Sequence, residues 1–97
     1  MTELVDPGAD AWRGDRTLDA RGLACPLPVL KARKLMAGMA AGETLLVEAT
    51  DPMAAIDVPH LCQQDGHRLV RQDRSGAGER VLLRFLIERG PVAGQPG

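Results

Sequence analysis

The stretch LDARGLACPLPVLKARK, residues 18–34, concentrates residues whose types and spacing could do chemistry. Cys25 stands after a turn at Gly22 and before Pro26 and Pro28, and a basic helical pattern follows. This places Cys25 at the N-cap of a helix. A helix N-terminus offers unpaired N–H groups and a partial positive charge. A thiolate there is stabilised, and its pKa can fall well below the free value of about 8.5. Arg21, Lys31 and Lys34 would add positive potential. The two prolines remove first-turn donors and stiffen the segment, leaving the N–H groups of Leu27 and Val29 to reach the sulfur or an anion on it. Leu27 precedes a proline and is biased away from the helical region, which works against a regular first turn. From spacing alone, the competing reading of Cys25 is a small buried apolar residue.

The other chemistry-bearing residues are weaker candidates. Cys62 falls on the buried arc of a second helix and reads as structural. Cys25, His60, Cys62 and His67 have the residue types of a zinc site, but their spacing matches no finger or ribbon, so no metal is expected. His60 and His67 read as surface or turn residues. No His or Asp is clearly placed as a base for Cys25, which speaks against a protease-like dyad. Asp51-Pro52 reads as a helix cap. Asp19 either bonds the turn backbone or is simply exposed.

The elements that must position Cys25 follow from periodicity. RTLDAR (16–21) reads as a strand. A helix is expected from Pro26 to Met39, stopping at Gly42, with Pro28, Val29, Ala32, Leu35, Met36 and Met39 on its core arc. ETLLVEAT (43–50) is a second strand. A second helix starts at Asp51 and ends at Gly66, burying Ala54, Ala55, Val58, Leu61 and Cys62, with a kink or broken turn expected at Pro59. HRLVRQDR (67–74), the loop SGAG and RVLLRFLIER (80–89) make a hairpin. The order βαβαββ predicts an α/β (α+β) two-layer sandwich: a four-stranded mixed sheet with both helices on one face. The other face carries Glu48, Arg84 and Glu88, with Leu46, Leu82 and Leu86 among them. Residues 16–89 form the expected single domain, preceded by a disordered extension (1–15) and followed by a flexible tail (90–97).

On the first helix, Leu27 and Leu30 lie opposite the core arc, among Lys31 and Lys34. Two exposed leucines beside two lysines, close to a thiol, suggest a surface for docking another protein. Scattered surface leucines are the bland alternative. Composition narrows the partner class. The formal net charge is −1 and the aromatics are Trp12 and Phe85, which disfavours direct nucleic-acid binding. No apolar run approaches the ~20 residues of a membrane span. The N-terminus has no secretory h-region, so a cytoplasmic protein with two free thiols is expected.

LDARGLACPLPV resembles the signature of the TusA family of small sulfur carriers, also called the SirA-like family. The shared residues are Leu18-Asp19, Gly22-Leu23, and Cys25-Pro26 followed by Pro28-Val29. GETLLVEATDP, Val58-Pro59, Cys62, GHRLV and FLIERG continue the match in order, over about residues 17–90. The resemblance implies a βαβαββ sandwich and a sulfurtransferase that needs no cofactor. It implies that Cys25 accepts sulfane sulfur as a persulfide from a cysteine desulfurase or rhodanese, then relays it to an acceptor protein. Thiolated tRNA, molybdenum cofactor and sulfur oxidation are the implied pathways. The partners would be transient and the free carrier a monomer. Some members have a glutamate where this chain has Leu27, so its partner may differ from that of the tRNA-thiolation members. The alternative function is a non-catalytic regulatory module, or one that binds protein or RNA.

Overall fold

The computed structural model describes residues 12–77 and 80–91. Six elements follow the expected order: β1 (Arg16–Ala20), α1 (Leu27–Ala37), β2 (Thr44–Ala49), α2 (Ala54–Asp65), β3 (Arg68–Ser75) and β4 (Leu82–Glu88). The sheet order is β1-β2-β4-β3. β1 and β2 are parallel, and β4 is antiparallel to both β2 and β3, so the sheet is mixed. A helical crossover is what a parallel β1–β2 pair requires, whereas β3 and β4 need only a short loop. The result is the α+β two-layer sandwich expected from the pattern.

Alternation decides the faces. Leu45, Val47 and Ala49 of β2 and Leu83, Phe85 and Ile87 of β4 point into the helical layer, where they meet Ala32, Met36, Val58, Leu61 and Cys62. Pro28 is also buried, and Val29 and Leu35 pack against this core. Ala55 is exposed rather than buried, because the core arc of α2 is centred on Ala54, Val58 and Leu61. On the opposite face Leu46 and Leu86 are cross-strand partners and are both buried. Part of their cover is the segment before β1. A side chain on Gly14 would meet the Leu46 backbone at 2.9 Å, and the Trp12 ring lies 4.2 Å from the Arg84 guanidinium carbon. Asp15 exchanges hydrogen bonds with Thr44 at 2.9 and 3.0 Å. The rest of the expected extension (1–11) and of the expected tail (92–97) lies outside the described residues.

The helix ends are closed by identifiable groups. Gly66 is left-handed at φ 75°, and the next N–H, of His67, reaches the Cys62 carbonyl at 2.9 Å. Arg89, buried, donates from Nε to the Met36 carbonyl at 2.8 Å and so satisfies the C-terminal turn of α1. α2 runs unbroken through Pro59. The expected break does not occur there. Proline's fixed φ is compatible with a helix, and the acceptor it leaves free belongs to exposed Ala55. No helix among the described residues is long and apolar enough to cross a membrane.

Candidate functional site

The loop between β1 and α1 is tied to the loop between β2 and α2. Gly22 donates its N–H to Thr50 Oγ1 at 2.8 Å, and Cys25 donates its N–H to Asp51 Oδ2 at 2.7 Å. The other oxygen of Asp51 accepts the Met53 N–H at 2.9 Å. Asp51 thus closes the turn before the second helix, rather than serving as its N-cap as expected, and also holds the cysteine loop. The regular helix begins later than expected, at Ala54, with Met53 as its N-cap. Because β1 and β2 are adjacent and parallel, both loops leave the same end of the sheet, which brings the two helix starts together.

Cys25 sits one position outside the helix. Pro26 is the N-cap of α1, and the Leu27 N–H bonds the Ala24 carbonyl at 2.8 Å. The Leu27 donor is therefore spent on a turn and does not hold the sulfur. The sulfur itself faces Asp57 in the first turn of α2, with Sγ donating to Oδ2 at 2.7 Å. This corrects the expectation of an acidic thiol with no acid–base group nearby. The hydrogen bond to Asp57 raises the thiol pKa, followed by burial and by the negative charges of Asp57 and Asp51. These effects outweigh the helix-end field, because Asp57 is in contact with the sulfur while the sulfur stands outside the first turn.

The basic residues divide between two faces. Cys25 and Asp57 share an open groove of about 240 Å³ with Arg33, His60 and Gln64. Arg33 is paired with Asp65 at 2.9 Å. Lys31 and Lys34 line a separate groove of about 490 Å³ with Arg16, over Leu18 and Leu35. Arg21 forms a two-pronged pair with Asp19 at 2.8 and 3.0 Å, which holds the Asp19 carboxyl down to about 2. Asp19 also accepts the Arg21 N–H, so it does bond the turn backbone.

The exposed large apolar residues mark the same end of the molecule. Among the described residues they are Leu27 (43 %), Leu30 (51 %), Met53 (47 %) and Ile56 (65 %). Two belong to the first turn of α1, and two to the start of α2. Both helix starts therefore present exposed apolar side chains at the end of the sheet where Cys25 lies. Sequence reasoning found Leu27 and Leu30 but missed Met53 and Ile56. Ile56 could have been found in the same way, since it lies opposite the core arc of α2 on a helical plot.

Cys62 is buried, and burial pushes its thiol up to about 11, with a smaller push from Asp65. His67 is half-buried, with Nδ1 accepting the Gly90 N–H at 3.0 Å. Burial lowers its pKa. Among the described residues, no three His, Cys, Asp or Glu side chains converge as a metal-binding group.

The sequence profile of the family described as Sulfurtransferase TusA matches residues 16–89. The chain belongs to the TusA sulfurtransferase family. The match spans all six elements and includes Cys25, Asp51 and Asp57. A crystal structure of a SirA-like protein from Desulfitobacterium hafniense is similar in fold, with a TM-score of 0.62 and 22 % identity. The likeness covers 78 % of this chain and 99 % of that one.

Proposed function

We propose that this TusA-family chain is a sulfur carrier in which Cys25 accepts a sulfane sulfur as a persulfide and passes it to an acceptor protein. The observation that carries this reading is the contrast in access: Cys25 is exposed on a loop tied down by Asp51, while Cys62 is buried in the core. Persulfide exchange requires one sulfur to attack another in line, as thiol–disulfide exchange does, so both sulfurs must reach contact. A cysteine on a fixed loop, at the end of the molecule where Leu27, Leu30, Met53 and Ile56 are exposed, suits such a meeting. A free thiol that must stay reduced between transfers suits a cytoplasmic setting. The donor class is a cysteine desulfurase or a rhodanese. The acceptor would lie in tRNA thiolation, molybdenum cofactor synthesis or sulfur oxidation.

The test is loading by a cysteine desulfurase supplied with cysteine. Intact mass should rise by one sulfur atom in the wild type and in Cys62→Ala, and should not rise in Cys25→Ala. Loading that survives in Cys25→Ala would overturn the assignment.

A further inference from the structure

Asp57 is the residue that this reading of Cys25 leaves without a task. Its carboxylate accepts the thiol hydrogen bond at 2.7 Å, across 32 residues of sequence. Among the described residues no ion pair reaches Asp57, whereas Asp19, Asp65, Asp73 and Glu88 each have an arginine. The other charged groups around the sulfur do not offset it. Asp51 adds a second negative charge on the loop side. Arg33 and His60 line the groove, but Arg33 is held by Asp65, and Arg21 is held by Asp19. Among the described residues, the nucleophile of the carrier is thus guarded by a carboxylate that forms no ion pair.

We propose that Asp57 locks the Cys25 proton in the free carrier, and that a cationic side chain of the sulfur-exchanging partner takes this carboxylate over on docking and frees the sulfur to react. The inference rests on the sulfur-carrier reading and names the partner chemistry that reading lacks. In the transfer step, Cys25–SH and the donor persulfide R–S–S⁻ become Cys25–S–S⁻ and R–SH. A bond forms between Cys25 Sγ and the outer sulfur, and the donor's S–S bond breaks. Its electron pair stays on the donor thiolate, which takes the proton that Cys25 loses. No oxidant or reductant is consumed. Asp57 acts through Cys25 and is a positioning residue. Pairing it with an arginine or lysine removes the charge and the acceptor that keep the thiol protonated. Docking over this end of the molecule, where Leu27, Leu30, Met53 and Ile56 are exposed, would exclude water from the pair and strengthen it.

The experiment has two arms. The first follows iodoacetamide labelling of Cys25 from neutral to alkaline pH in the wild type, Asp57→Asn and Asp57→Glu, with buried Cys62 in the same digest as a check of folding. Asp57→Asn should move the midpoint to lower pH and raise the neutral-pH rate severalfold, and Asp57→Glu should stay near the wild type. A neutral-pH rate that is unchanged or lower in Asp57→Asn would overturn the lock, a lower rate marking Asp57 as a simple base. The second arm needs no variant to fold. Two synthetic peptide persulfides, one with arginine beside the persulfide and one with glutamate, are offered to the wild type. Uptake should be severalfold faster from the arginine peptide, and an equal rate would overturn the partner's part of the proposal. If Cys25 takes sulfur from neither peptide, the carrier reading fails, while the labelling arm still decides the lock.

Discussion

Cys25 and Cys62 are both held as protonated thiols, and for opposite reasons. At the junction of the two helix starts, the proton of Cys25 is kept chiefly by Asp57. In the last turn of α2, the proton of Cys62 is kept chiefly by burial, with the residue only 3 % exposed. The first cause is a single side chain at the surface, and a docking partner can remove it. The second is the core itself, and only unfolding removes it. Two thiols of similar resting state therefore differ in what can switch them on. This separates a carrier cysteine from a packing cysteine more sharply than an expected acidic thiol would have done.

The largest consequence is kinetic. In the folded protein Cys62 should react with alkylating agents at least roughly a thousandfold more slowly than Cys25, since it is reached only by opening the core. Residue-resolved mass spectrometry checks this, and the gap should close in denaturant. A Cys62 that reacts readily in the native state would erase the contrast.

A thermodynamic consequence comes next. The folded protein holds the Cys62 proton up to about 11, well above an ordinary thiol. The contribution is complete below pH about 9 and is lost as pH rises towards about 11. It amounts to about 2–3 kcal/mol, since each unit is worth about 1.4 kcal/mol. Urea unfolding at several alkaline pH values should show a steeper loss in the wild type than in Cys62→Ala. Parallel curves would mean that burial does not govern this thiol.

Smaller effects belong to the surface site. Asp51→Ala removes acceptors from the N–H groups of Cys25 and Met53, and should lower the thermal and urea unfolding midpoints modestly. Replacing Asp51 by Asn should also raise Cys25 reactivity, but less than Asp57→Asn does, since Asp51 acts on the sulfur through its charge alone. The smallest effect is expected for Asp19→Asn. Its pair with Arg21 is exposed on both sides, so the unfolding midpoint should barely change and the Cys25 labelling midpoint should not move. A clear shift there would mean that the sequence neighbours of Cys25 set its acidity after all.

The fold was largely legible in the sequence because its elements are periodic and well punctuated. Alternation in LLRFLIE marked β4, and Gly66 ended α2 where a left-handed residue was needed. The helix starts were less legible. Prolines at 26 and 28 blurred the start of α1, and Asp51-Pro52 resembles a first turn while forming the turn before one. Cys25 stood out through local chemistry, but its controlling partner did not. Asp57 reaches the sulfur only because parallel pairing of β1 and β2 delivers both following loops to one end of the sheet. That contact is a product of topology, and no local spacing encodes it. For the same reason Arg21, Lys31 and Lys34 looked like the charges that matter, although Arg21 is spent on Asp19 and the lysines line a different groove.

The most direct measurement is a single digest of the wild-type protein after exposure to a cysteine desulfurase and cysteine, reading the Cys25 and Cys62 peptides together. The added sulfur should sit on the Cys25 peptide, with the Cys62 peptide unmodified. Sulfur on Cys62, or on neither cysteine while the desulfurase is active, would contradict the assignment of Cys25 as the carrier.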